Sequence, residues 1–314
     1  MALSDFGKVG VLMGGTSSER EISLKSGKAV LGALKGAGVN AVGIDIKSED
    51  IKQLSGIFIS ARLDCAFIAL HGRFGEDGQV QKILEDVNIP YTGSGVSASR
   101  LAMDKIASLK VLGENGLTIP AWEALGKNDY PLSGDIKVDL KFPLVIKPAN
   151  HGSSIGLSII DNAQALRKAC DLAFEYDQRI VIQEYIKGRE LTVGVLDEQP
   201  LPVIEIITKN AYFDFQAKYQ SALTEYIVPA KLDEQLSKKI QLDGLSAHKA
   251  LGCFGCSRAD MILSPDGLVY LLEVNTIPGM TATSLLPKAA KATGMDFSDL
   301  CLRLLSLAYE KAKV

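Results

Sequence analysis

At 314 residues, with 47% hydrophobic and 23% charged side chains, the chain is long enough for two domains or three small ones. Cores of that size need neither disulfides nor metals to fold. A net charge of −3 without any basic block argues against a nucleic-acid or membrane-surface partner. No apolar stretch approaches the ~20 residues of a membrane span, and Met1–Gly15 reads as a first strand rather than a signal peptide. Five cysteines without regular spacing suit a reducing cytoplasm.

The first third alternates strand and helix signals. Val9–Met13 is a short apolar run closed by Gly14-Gly15. Ser18-Glu19-Arg20-Glu21 matches a capping box, with Glu21 as the capping acid and a helix running on to Leu34. That leaves Glu19 available to face a ligand. Val39–Ile46 and Cys65–Leu70 read as strands and Gln79–Val87 as a helix, which predicts a parallel, doubly wound sheet over about 1–103. Ser97–Glu114 reads as one linking helix. Leu144–Lys147, Ala163–Tyr176 and Ile180–Tyr185 follow as strand, helix and strand.

After Gly188 the pattern changes to hairpins, Leu191–Leu196 and Val203–Thr208. The polar, aromatic-rich stretch Lys209–Thr224 is long for a structureless connection and is expected to be functional. Asp233–Leu251 reads as a helix. Arg258–Leu263 and Leu268–Val274 form a hairpin around Pro265-Asp266-Gly267, and helices Ser284–Ala292 and Phe297–Lys311 close the chain. Cys253-Phe-Gly-Cys256 reads as buried strand thiols, because a zinc site would need two further ligands and no second CxxC or HxxxH exists.

No GxxxxGK[ST] occurs, and Gly10-x-x-x-Gly14-Gly15 lacks the dinucleotide spacing. Glu273-Val-Asn275 and Arg258-Ala-Asp260 each place two polar side chains on one face of a strand. The oxygens of Glu273 and Asn275 suit magnesium, which takes few carboxylates and fills its shell with phosphate and water, and Asp260 is offered by the same spacing on the other strand. For Asp260 and Glu273 to hold one metal they must share a face. A four-residue loop, Pro265–Leu268, pairs Ser264 with Val269 and hence Asp260 with Glu273. A three-residue loop, Pro265–Gly267, pairs Asp260 with Leu272 unless a bulge compensates.

Lys147-Pro-Ala-Asn-His-Gly152-Ser153-Ser154-Ile-Gly156 follows a strand and offers a cation, hydroxyls and free N–H groups, as a phosphate-gripping loop or as a plain turn. His71-Gly-Arg-Phe-Gly75-Glu-Asp-Gly78 lies where α/β sheets bind ligands, although a lone histidine serves structure as readily as chemistry.

These pieces, with Gly14–Ser23, Tyr91-Thr-Gly-Ser94, Met103-Asp-Lys105, Ala217-Lys-Tyr219 and Glu273–Thr281, together resemble the D-alanine–D-alanine ligase family of the ATP-grasp superfamily, in the family's order over nearly the whole chain. The resemblance implies an α/β, ATP-grasp fold. An N-terminal doubly wound parallel-sheet domain (1–103) precedes two α+β domains (104–187 and 188–314) that clamp ATP. It implies that Lys105, Lys147, Ser154 and Lys218 hold ATP phosphates, that Gln183, Glu184, Tyr185 and Ile186 form the adenine hinge, and that Glu190 binds the ribose. Asp260, Glu273 and Asn275 would hold two magnesium ions, with manganese as a substitute. Glu19 would anchor the ammonium of the first D-alanine and His71 would line its site. Ser284 and Leu285 would hold the second carboxylate, Ser153 and Tyr219 would link the active-site loops to Glu19, and Arg258 with the Gly279 N–H would face the tetrahedral intermediate.

The implied reaction joins two D-alanines through an acyl phosphate, for peptidoglycan precursor synthesis, in a cytoplasmic homodimer, with the Lys209–Thr224 loop as a lid. The alternative is another ATP-grasp carboxylate–amine ligase or a D-alanine–D-lactate ligase, and Ala217-Lys218-Tyr219 speaks against the latter. Departures from the family's pattern are Gln183 where glutamate is common, Phe215 where tyrosine is common, and Asn150-His151.

Overall fold

The computed structural model describes residues 6–131, 134, 136–152, 155–208 and 224–312. Its first sheet contains β1 (Val9–Gly14), β2 (Ala41–Ile46) and β3 (Cys65–Ile68), all parallel, in the order β2-β1-β3. All of β1 is buried. Val9, Val11 and Met13 face α1 (Arg20–Gly36) and the C-terminal helix Phe297–Lys311, whereas Leu12 faces α2 (Ile51–Ala61) and α3 (Gln79–Asp86). Strand side chains alternate between faces, so a strand apolar throughout needs cover on both sides, as the doubly wound expectation requires. The last helix supplies part of that cover through Leu300, Leu304, Leu305 and Leu307.

Two local expectations are corrected, and one helix is added. The first helix begins at Arg20 with Glu19 as its N-cap and no capping side chain, so Ser18-Glu21 is not a working capping box. Ser17 Oγ instead accepts the Glu19 N–H (3.2 Å), and Ser23 Oγ accepts the Gly14 N–H (2.9 Å). The linking helix is two helices, α4 (Val96–Met103) and α5 (Lys105–Glu114). They break at Asp104, whose carboxylate accepts the N–H groups of Ile106 and Ala107 and so caps a new helix rather than continuing the old one. Helix α2 is absent from the sequence reading, because Ile51–Ala61 is apolar on two sides and leaves Ile51 and Ile59 exposed.

The second sheet runs β4 (Trp122–Gly126), β7 (Arg179–Glu184), β5 (Leu144–Pro148), β6 (Ser158–Ile160), antiparallel throughout, with α6 (Leu166–Phe174) packed on the face of Leu144, Ile146, Ile180 and Ile182. The third is also antiparallel, in the order β11 (Thr224–Ile227), β10 (Ile204–Thr208), β8 (Arg189–Leu196), β12 (Cys256–Leu263), β13 (Val269–Asn275), with β9 (Gln199–Pro200) beside β8. Its apolar face, with Leu191, Val193, Ala259, Met261 and Val274, packs on α7 (Glu234–Ala250). α8 (Leu285–Ala292) and α9 (Phe297–Lys311) end the chain.

The β12–β13 turn has the three-residue loop, not the four-residue one. Ser264 N–H donates to Leu268 O (2.9 Å), Leu263 pairs with Val269, and Gly267 takes a positive φ of 86°. Pro-Asp-Gly favours this loop, because the glycine supplies the left-handed residue that closes it. A bulge then restores the pairing: Met261 faces Leu271, Leu272 is the extra residue, and Asp260 faces Glu273 with Arg258 facing Asn275.

Cys256 is a buried strand thiol, as expected, but Cys253 is half-buried in the turn before β12. Burial pushes both thiols up, to about 12 and about 11. Among the described residues no helix is long and apolar enough to cross a membrane.

His248 on α7 is 2% exposed, and its Nδ1 lies 2.7 Å from Ser257 Oγ on β12. Burial pushes the imidazole down to about 4. The unfolded chain therefore takes up this proton first, so the stability is fully present above pH 6.5 and is lost as pH falls from 6.5 towards 4. In urea titrations between pH 7 and 4, the wild type should lose about 3 kcal/mol more than His248→Gln. Equal losses would contradict a neutral buried ring.

Candidate active site

The register of the third sheet gathers one polar face. Thr192 pairs with Asp260 and Glu190 with Ile262 on one side of β12, while Glu273 and Asn275 pair with Asp260 and Arg258 on the other. Directly paired residues share a face, so Glu190, Thr192, Arg258, Asp260, Glu273 and Asn275 all point away from the α7 core. Arg258 donates to both oxygens of Asp260, Nε at 2.8 Å and Nη2 at 2.7 Å, and Thr192 Oγ1 donates to Oδ1 at 2.7 Å. This bidentate fork fixes the guanidinium plane. Asn275 Oδ1 accepts the Ile277 N–H at 2.9 Å and shapes the start of the next loop.

Opposite this face stand the loops after β1 and β3. Glu19 is 7% exposed, and its Oε2 would lie 2.9 Å from a Cβ at Gly72 and 3.4 Å from one at Gly152, so the carboxylate is seated between two glycines. Ser17 ties the loops together by donating to His71 O (2.7 Å). His71 is buried with Nε2 2.9 Å from Ser26 Oγ and Nδ1 3.5 Å from Glu76 Oε1. The Glu76 carboxyl is pushed up, chiefly by burial and also by the charge of Glu19, while the His71 bond pulls it back.

A cavity of about 760 Å³ lies between the two sets of loops. Its walls include Glu19, His71, Lys105, Arg258, Glu273, Asn275, Gly279, Ser284 and Leu285. Lys105 spans it, donating from Nζ to His151 O (2.7 Å) with Glu273 Oε2 at 3.6 Å. Gly279 is confined, since a Cβ there would sit 3.0 Å from Ser284 Oγ. Ser284 is the N-cap residue of α8 but makes no side-chain cap, so the helix turns its positive end towards the cavity at Leu285.

The other expected residues lie off this lining. Lys147 and Gln183 are buried on the face of the second sheet opposite its α6 core. Glu184 ends β7, Tyr185 and Ile186 follow it, and Glu190 opens the polar face on β8. Gln183 Nε2 has no hydrogen-bond partner among the described residues, where a glutamate would bring only acceptors. Ser153, Ser154, Lys218, Tyr219, Phe215 and all but the last residue of the expected Lys209–Thr224 lid lie outside the described residues.

Sequence reasoning missed Lys25, Ser26, Glu76, Tyr226 and Lys288 in the cavity wall. Ser26 was legible in principle: Glu19, Ser23 and Ser26 repeat at helical spacing on an otherwise apolar helix face.

The chain matches the family model "D-ala D-ala ligase C-terminus" over residues 111–306 and "D-ala D-ala ligase N-terminus" over residues 47–94. It is 46% identical over 301 residues to the D-alanine–D-alanine ligase of Geotalea uraniireducens, covering 96% of this chain and 95% of that one. Its structure is similar to D-alanine–D-alanine ligase from Bacillus anthracis complexed with ATP, with TM-score 0.84, 34% identity and 98% of each chain covered. It is also similar to the VanG D-Ala:D-Ser ligase from Enterococcus faecalis, with TM-score 0.81, 31% identity, and 96% of this chain and 99% of that one covered.

The seat of Glu19 is testable by itself. Gly72→Ala places a methyl 2.9 Å from the carboxylate at a φ of +75°, and should cost about 1–3 kcal/mol. Gly152→Ala, at 3.4 Å, should cost under about 1 kcal/mol. Equal melting temperatures for the two variants would show that the loops yield.

Proposed function

The chain belongs to the D-alanine–D-alanine ligase family, and on that premise we propose that it joins two D-alanines at the expense of ATP. The observation that carries this reading is the single cavity in which Glu19 and His71, from the first sheet's loops, meet Arg258, Glu273, Asn275, Gly279 and Ser284. An anion seated between glycines suits the ammonium of one amino acid. The open start of α8 suits the carboxylate of another.

A carboxylate is a poor electrophile, because its charge repels an incoming amine. In the proposed reaction a carboxylate oxygen of the first D-alanine bonds to the γ-phosphorus of ATP as the β–γ bridging bond breaks and ADP leaves. Lys105 and Lys147, with Ser154 and Lys218, grip the phosphates. The adenine lies against Gln183, Glu184, Tyr185 and Ile186, and the ribose against Glu190. The amine of the second D-alanine attacks the carbonyl carbon of the acyl phosphate. Arg258 and the Gly279 N–H face the oxyanion, which collapses with loss of phosphate. Ser153 and Tyr219 carry the amine's proton towards Glu19, and the loop around Lys218 excludes water from the acyl phosphate.

The donor set suits magnesium. Asp260 and Glu273 are directly opposed. A carboxylate offers about four lone pairs, and Arg258 and Thr192 take three on Asp260, leaving one on Oδ2. Asn275 Oδ1 keeps its second lone pair. Asp260, Glu273 and Asn275 would hold two magnesium ions, or manganese, whose charge would offset that on the transferring phosphoryl group. We further propose that the protein has three domains divided near 103/104 and 187/188, forms a homodimer, resides in the cytoplasm and serves peptidoglycan precursor synthesis.

The direct test incubates the protein with ATP, D-alanine and an equal concentration of L-alanine, D-serine or D-lactate at pH 7.5, and weighs the products by mass spectrometry. D-alanyl-D-alanine should dominate each mixture. Mainly depsipeptide or mixed D-Ala–D-Ser product would reassign the acceptor, and equal use of L-alanine would overturn the stereochemistry. Tyr219→Phe should slow turnover and weaken the preference for amine over hydroxyl acceptors. Arg258→Ala should lower turnover about 100-fold or more with ATP affinity little changed, as for a lost oxyanion donor. Near-normal turnover would reduce Arg258 to a partner of Asp260.

A further inference from the structure

The Ser26 hydroxyl sits where two separate parts of the cavity wall meet. Ser26 is fully buried on α1. Its Oγ lies 2.9 Å from His71 Nε2, in the loop after β3, and 3.3 Å from the N–H of Met280, next to Gly279. More than 250 residues separate Ser26 from Met280 in the chain.

We propose that Ser26 is a positioning residue: it accepts from the Met280 N–H, donates to His71 Nε2, and so holds His71 as the Nδ1–H tautomer directed at Glu76. The inference rests on the proposed active site and adds a residue to it.

The direction of each bond follows from counting. A serine hydroxyl has one hydrogen and two lone pairs. A backbone N–H can only donate, so the Met280 bond uses a lone pair. A buried hydroxyl hydrogen needs an acceptor. Among the described residues, the other partner of Ser26 Oγ is His71 Nε2. A ring nitrogen that accepts carries no proton, so the neutral ring's proton is on Nδ1. That nitrogen faces the Glu76 carboxylate at 3.5 Å, and an oxygen there can receive it.

One hydroxyl thus orients the ring that lines the first amino-acid site and anchors the loop that carries the Gly279 N–H. Without it, Met280 loses its acceptor and the imidazole is free to exchange tautomers. The two walls then lose their common reference point, which affects the amino-acid sites and not the nucleotide.

The chain has three histidines, so the imidazole ¹⁵N–¹H correlation spectrum of the ligand-free full chain at pH 7.5 is readily assigned with His71→Gln. Wild-type His71 should show a protonated Nδ1 and an acceptor Nε2. In Ser26→Ala the Nε2–H tautomer should become populated while His248 stays unchanged. The KM for D-alanine should rise about tenfold, as for one buried partner lost, with the KM for ATP unchanged. A wild-type Nε2–H tautomer would overturn the proposal, as would a His71 spectrum indifferent to Ser26→Ala. Should that variant fail to fold, the wild-type spectrum still decides the direction of the bond. A wild-type protein with the Nδ1–H tautomer but no dipeptide synthesis would overturn the proposed activity and leave the Ser26 relay standing.

Discussion

The extra residue at Leu272 is the constraint on which the polar face of the third sheet depends. The Pro-Asp-Gly turn imposes a three-residue loop, and that loop alone would place Asp260 opposite Leu272. A one-residue slip sends every side chain of a strand to the opposite face. The bulge cancels the slip between Asp260 and Met261, so Asp260 meets Glu273 and Arg258 meets Asn275. Before the bulge Met261 and Leu271 serve the apolar core, and beyond it Arg258, Asp260 and Glu273 serve the cavity side. Turn chemistry and site chemistry make incompatible demands on one hairpin, and the bulge satisfies both.

The opposite wall is tied together by hydroxyls. Ser17, Ser23 and Ser26 lie at or near the start of α1, where the side-chain cap is missing. Ser23 joins the end of β1 to the end of β3 through Gly14 N–H and Ala69 O. Ser17 holds His71 O, and Ser26 holds the ring of the same residue. Short side chains with one donor and two acceptors can satisfy several backbone groups in little space, which suits a tight junction of loops. The glycines at 72 and 152 leave room for the Glu19 carboxylate between them.

The cavity wall carries charges of both signs. Glu19, Glu76 and Lys25 stand on the first-sheet side, and burial with the charge of Glu19 raises the Glu76 carboxyl. Arg258, Lys105 and Lys288 line the remainder of the wall with Glu273 and Asn275. Fixed charges of both signs suit zwitterions and phosphates, because a preorganised site need not reorient its dipoles around each charge. Arg258 is already held by both oxygens of Asp260, so little side-chain entropy remains to be lost when it meets a ligand.

The sequence by itself determined the alternation of strands and helices, the parallel first sheet, the two polar pairs on β12 and β13, and the loops that bear Glu19 and His71. Each is a local pattern, of period two, period 3.6 or a glycine at a turn, and local sterics enforce it. Tertiary structure decided the rest. Whether Asp260 faces Glu273 depended on a bulge that no turn rule announces. Whether Ser97–Glu114 was one helix or two depended on Asp104 capping a new start. That Phe297–Lys311 covers the first sheet, and that Ser26 touches Met280, are contacts between distant segments. Propensity and periodicity describe neighbours in the chain, whereas these contacts arise only when separate elements pack.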